Sequence, residues 1–284
     1  MVSMYPLISP ADLAQRLSRD RTAPVVLDVR WRLVGPPGLD SYREGHLPGA
    51  VFLDTDSELA GRPGGGGRHP LPDPGAWQET LQAAGVNESD TVVVYDDADG
   101  SVAARAWWLL RWAGHEAVAV LDGGFAAWQA GGHPISADAV VPPRGDIEVR
   151  AGSMPVLDAA GAAGLARDGL LLDARDPERY RGEREPVDPR AGHVPGAVNA
   201  HFAAQTDDDG RWFGPAELAS RFAALGVEPD TSVGAYCGSG VTASSVVLAL
   251  ELAGHPEQAA LYAGSWSHWC VDPQRPVATG GQPG

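Results

Sequence analysis

The sequence predicts an α/β protein made of two copies of one domain, each a parallel sheet flanked by helices. Three observations predict it. At roughly 150 residues per domain, 284 residues suit two cores. Short apolar runs ending in polar residues alternate with helical patterns, as in α/β units. Five segments also recur in the same order at offsets of about 140 residues, which marks a duplicated domain and not a solenoid.

The repeats justify the elements in turn. VVLDVR at 25–30 returns as LLLDAR at 170–175, and GHLPGAV at 45–51 returns as GHVPGAV at 192–198. TVVVY at 91–95 returns as SVGAY at 232–236, AGH at 113–115 as AGH at 253–255, and GGFAAW at 123–128 as GSWSHW at 264–269. The apolar runs read as buried parallel strands with polar residues at their carboxyl ends, where ligands bind in such sheets. Helices are expected over 11–17, 77–84 and 102–112 in the first copy, and over 215–225 and 241–252 in the second. The copies span 1–137 and 156–284, joined by a proline-bearing linker at 138–155. Residues 61–74, GRPGGGGRHPLPDP, read as a mobile loop of the first copy, with a solvent loop favoured over one that covers a ligand.

Composition excludes several functions. Hydrophobic residues at 44% and charged residues at 20% suit a globular chain. No apolar run of about 18 residues is present, so no membrane partner is expected. The net charge of −16 argues against nucleic acid. All 21 basic residues are arginine, which excludes a Schiff-base lysine and a P-loop lysine. Any anion must be held by arginine or backbone N–H groups. Two cysteines and an N-terminus without a secretory pattern point to a reducing, cytoplasmic setting.

The copies differ directly after the third repeated segment. After Tyr95 the first copy reads Asp96-Asp97-Ala98-Asp99-Gly100-Ser101, and its three acids are expected to repel an anion. After Tyr236 the second reads Cys237-Gly238-Ser239-Gly240-Val241-Thr242 and then enters a helix. Two glycines let the backbone turn tightly, and successive N–H groups with a helix N-terminus favour a thiolate, the nucleophilic form. Ser239 and Thr242 add hydroxyl groups. Cys270 follows Trp269 with no such turn and reads as packing. Cys237 has neither a second cysteine nor a metal-spaced histidine nearby, so no metal or other cofactor is expected. A cysteine phosphatase would need an arginine six residues after the cysteine, where Ala243 stands.

These residues resemble the rhodanese-like sulfurtransferases in their tandem form. The resemblance implies a five-stranded parallel sheet in each of two rhodanese-like domains, with an inactive first copy. It implies a cysteine persulfide that carries a sulfane sulfur from a donor to a thiophilic acceptor such as cyanide, a thiol or thioredoxin. CGSGVT resembles the loop of members that use 3-mercaptopyruvate; thiosulfate is the alternative donor, and a non-catalytic binding or regulatory module is the other reading. Arg179, in Arg-Tyr-Arg-Gly, matches the carboxylate-binding arginine of the family, and Arg184 and Arg190 compete as the second. Gly238, Gly240, Val241 and Thr242 would line the sulfur site. Ser239 would polarise the substrate or assist proton transfer. His46 with Asp40 is a candidate relay, although His46 has a twin in His193, which favours an architectural role for both.

Overall fold

The computed structural model describes residues 4–18 and 23–284. The chain forms two compact units. One comprises Met1–Gly61, Pro72–Ser153 and Thr206–Trp212, and the other comprises Arg62–Leu71, Met154–Gln205 and Phe213–Gly284.

The first unit contains β1 (Leu7–Ile8), α1 (Pro10–Leu17), β2 (Val25–Asp28), α2 (Gly38–Glu44), β3 (Val51–Phe52), α3 (Pro74–Ala83), β4 (Val92–Tyr95), α4 (Ser101–Trp112), β5 (Val118–Leu121) and α5 (Gly124–Ala130). Its strands are parallel, in the order β1-β5-β4-β2-β3. Val26, Val93 and Leu121 from the sheet pack with Leu13 and Trp128 in one core. Local signals start the helices: Ser9 accepts from the Asp12 N–H at 3.1 Å with Pro10 opening α1, and Asp73 caps α3 ahead of Pro74. Of the residues read as a linker, 138–153 belong to this unit, with Ile147 buried and its carbonyl accepting from Gln82 Nε2 at 2.8 Å.

The second unit contains α6 (Ala159–Asp168), β6 (Leu170–Asp173), α7 (Pro177–Arg181), β7 (Val198–Asn199), α8 (Pro215–Ala224), β8 (Val233–Tyr236), α9 (Ala243–Leu252), β9 (Ala260–Leu261) and α10 (Ser265–Trp269). Its parallel sheet runs β7-β6-β8-β9, four strands where five were expected. The fifth position is a single parallel bridge between Val156 and Leu261. After His255 the chain reads PEQAAL where the first copy has EAVAVL after His115. A proline and the loss of two valines shorten this strand from four residues to two, leaving little edge to pair.

The shared motifs form the same buried lock in both units. The Arg30 guanidinium donates to Asp28 Oδ2 and to the Gly45 carbonyl, each at 2.7 Å. Arg175 does the same with Asp173 at 2.6 Å and with Gly192 at 2.7 Å. Tyr95 and Tyr236 hydroxyls accept from the N–H groups of Leu47 and Val194. His46 stacks on Tyr42 with its Nδ1 2.8 Å from the Tyr42 carbonyl, and His193 repeats this on Tyr180 at 2.8 Å. Strand end, arginine and GHxPG turn are therefore tied together twice. Buried charges need such partners, which explains why both copies keep these residues.

Residues 62–71 correct the solvent-loop expectation. They belong to the second unit, and Gly67 and His69 are buried there. Gly67 has φ +108°, and an added Cβ would lie 2.7 Å from the Gly264 carbonyl and 2.9 Å from Ser267 Oγ. The Arg68 N–H donates to that Oγ at 3.1 Å. The glycine run thus permits a close backbone approach as well as flexibility.

Candidate active site

Strand β8 delivers Cys237 to the carboxyl end of the second sheet, and the segment opening α10 holds it there. The Cys237 N–H donates to Ser265 Oγ at 3.1 Å, and the Cys237 and Gly238 carbonyls accept from Trp266 and Ser267 N–H at 3.0 and 2.9 Å. Ser265 takes φ 53°, a conformation that no other non-glycine residue adopts among the described residues. Such strain persists where the surroundings over-determine it, and here Ser265 Oγ also donates to the Tyr262 carbonyl at 2.8 Å.

The turn after the cysteine is built for close approach. Gly240 has φ +86°, and an added Cβ would lie 2.3 Å from the Ala263 carbonyl. Its N–H donates to Cys237 Sγ at 3.1 Å. Among the described residues, the N–H groups of Ser239, Val241 and Thr242 have no backbone acceptor. A turn with such N–H groups can receive a ligand or solvent. Cys237 is 2% exposed.

The first unit shows what such a turn does when its cysteine is replaced. The Asp96 carboxylate, following Tyr95 as Cys237 follows Tyr236, accepts from the N–H groups of Ala98, Gly100, Val102 and Ala103 at 2.9–3.1 Å. The acids of this copy therefore do not simply repel an anion, as their charge suggested. One of them fills the cradle from within. Burial pushes the Asp96 carboxyl up to about 6, against the lowering pull of those N–H bonds.

Two side chains unforeseen from the sequence stand beside the cysteine loop. His69 Nδ1 lies 2.7 Å from Ser239 Oγ, with both residues buried. The Arg68 guanidinium reaches Gly238, where an added Cβ would sit 2.9 Å from Arg68 Nη2 and 3.4 Å from Arg179 Nη1. Both residues lie in the one polar loop of the first copy that the repeat does not duplicate, and that is the signal in the sequence that marks them.

The expected arginines separate. Arg179, on α7, faces Gly238 and is held by Glu185 at 2.7 Å and Asp188 at 3.2 Å. Arg68 also pairs with Asp188. Glu185 is further held by Arg175 at 3.4 Å and by the N–H groups of Val187 and Asp188. Arg184 is instead 70% exposed at its side chain and pairs loosely with Glu178 at 3.9 Å. Arg190 donates to the Asp272 and Arg275 carbonyls at 3.1 and 3.2 Å, which bind that segment to the second core. His46 belongs to the first unit and is engaged by Tyr42, while Asp40 pairs with Arg43 on an exposed helix face. Cys270 is buried in the second core, and burial pushes its thiol up.

A family model for the rhodanese-like domain matches residues 9–131 and again 158–272. The chain is 47% identical over 286 residues to a probable 3-mercaptopyruvate sulfurtransferase of Pseudomonas aeruginosa, covering 98% of this chain and 100% of that protein. It is 44% identical over 282 residues to a putative thiosulfate sulfurtransferase of Mycobacterium tuberculosis, covering 96% and 97%. The crystal structure of the Escherichia coli 3-mercaptopyruvate sulfurtransferase SseA superposes with a TM-score of 0.81 at 30% identity, covering 93% of this chain and 100% of that one. Among the described residues, no helix is long and apolar enough to cross a membrane.

Proposed function

Because the chain belongs to the rhodanese-like family, with two such domains in tandem, we propose that it is a sulfurtransferase that takes the sulfur of 3-mercaptopyruvate onto Cys237. The observation that carries this reading is Cys237 Sγ at the strand end, receiving the Gly240 N–H at 3.1 Å beside two guanidinium groups.

The chemistry follows from the charges and the hydrogen bonds. Arg179 orients the donor carboxylate, since a guanidinium offers two parallel donors. The Cys237 thiolate attacks the donor sulfur. The carbon–sulfur bond breaks, its electron pair passes to carbon as the pyruvate enolate, and the proton of the donor thiol ends on that carbon. Ser239, hydrogen-bonded to His69, is placed to carry this proton. The persulfide then rests against the N–H groups of Gly238–Thr242. A thiophilic acceptor removes the outer sulfur and returns Cys237 as thiolate. Cyanide, a small thiol or thioredoxin would serve, in a cytoplasmic compartment that keeps both thiols reduced.

Thiosulfate is the second donor reading. Two guanidiniums at Gly238 can bind either anion, and the mycobacterial relative carries that name. The test is side-by-side kinetics with both donors and cyanide as acceptor, with mass spectrometry of the protein after donor alone. A gain of about 32 Da on Cys237, one sulfur atom, and its loss in Cys237→Ala are expected. Equal turnover in the two proteins would overturn the reading.

A further inference from the structure

We propose that Arg68 is the second donor-binding arginine and that Asp188, which bridges Arg68 and Arg179 in the free protein, is the internal anion that the donor displaces. This rests on the donor-binding role of Arg179 given above.

The guanidinium groups of Arg68 and Arg179 both face the position of a Gly238 side chain, the residue next to the nucleophile. Both also hold Asp188. The sequence offered Arg184 and Arg190 as second cations; Arg184 is exposed and only loosely paired, and Arg190 is engaged by the Asp272 and Arg275 carbonyls. Arg68 supplies the missing charge from a segment of the other repeat, brought into this unit by the close contact at Gly67. Its Nε is buried with no hydrogen-bond partner among the described residues, so the fork has capacity to spare.

The two acids of the cluster are not held alike. Glu185 is fixed by Arg175, Arg179 and two backbone N–H groups. Asp188 is held through its carboxylate by Arg68 and Arg179 alone among the bonds described. Burial pushes the Asp188 carboxyl upward, against the pull of both arginines, so its charged form is poorly accommodated. A donor carboxylate taking its place keeps two cations matched by two anions. A dianion in the same place leaves one negative charge in excess. Glu185, which stays in place, thereby sets the preference for a singly charged donor, and Asp188 sets the ease of binding.

The test reads the charge at Cys237 without requiring turnover. The alkylation rates of Cys237 by iodoacetate, an anion, and iodoacetamide, its neutral analogue, are measured by peptide mass spectrometry, with pyruvate as competing anion. The iodoacetate-to-iodoacetamide ratio is expected to fall about fivefold in Arg68→Gln and to rise about fivefold in Asp188→Asn, as befits one charge near a protein surface. Arg68→Lys should keep most of the ratio, and pyruvate protection should weaken in Arg68→Gln and strengthen in Asp188→Asn. A ratio within about twofold of wild type in either neutral variant overturns the proposal. Alkylation of Cys270 marks a variant that has unfolded, and Arg68→Lys against Asp188→Asn then decides the matter: equal ratios overturn it. A protein that transfers no sulfur would still give these ratios, so the two readings fail separately.

Discussion

His69 Nδ1 and Ser239 Oγ lie 2.7 Å apart across 170 residues of sequence, with Ser239 two positions beyond Cys237. The imidazole fixes the hydroxyl. If this pair moves the donor proton, His69→Gln and Ser239→Ala should each lower kcat with 3-mercaptopyruvate by about a hundredfold. Thiosulfate transfers no proton to carbon, so its kcat should change far less. Steady-state kinetics with both donors decide this, and equal losses would show that the pair only shapes the loop.

Arg179 makes a different prediction, about binding. Arg179→Ala removes a charged hydrogen-bond partner and should raise KM for 3-mercaptopyruvate about tenfold or more, with a smaller rise for thiosulfate. The reverse order of the two KM changes would mean that Arg179 grips the other donor.

Gly67 and Gly65 separate close approach from flexibility. Gly67→Ala must place a Cβ against the Gly264 carbonyl at a φ of +108°, whereas an alanine at Gly65 meets nothing within 4 Å. The first should displace the segment carrying Arg68 and His69 and lower kcat about tenfold, at a stability cost of about 1–3 kcal/mol. The second should match wild type. Kinetics and thermal unfolding of the pair check this together.

Asp96 gives a pH dependence. Its carboxyl is pushed up to about 6, above its ordinary value of 3.8, so between those limits the folded state keeps a proton that the unfolded state has released. This contribution to stability is therefore full below about pH 4 and is lost as pH rises through about 6, to a limit of about 3 kcal/mol. Asp96→Asn abolishes the titration and sets an NH2 group against four N–H donors. Wild type should thus exceed the variant in Tm, and by a margin that widens as pH falls from 6 to 4.

Much of this was legible beforehand because it is local or repeated. The duplicated Asp-x-Arg and GHxPG motifs announced two α/β units, since buried strands and tight turns impose their own residue patterns. The turn at Cys237, with its glycines and the helix after it, was legible because cysteine, turn and helix start lie within seven residues. The second sheet lost its fifth strand to a proline and two absent valines, a balance that pattern matching does not weigh.

Residues 62–71 are the opposite case. Their composition states only that the backbone is free to move; it does not say which surface will receive it. Arg68 meets Asp188 at a separation of 120 residues, and His69 meets Ser239 at 170. Such pairs leave no periodicity in the chain. The order of residues specified the cysteine and its turn, because those rest on neighbours in sequence. The path of the folded backbone chose the groups around the sulfur, because charge and proton transfer act through space, over distances of a few ångströms.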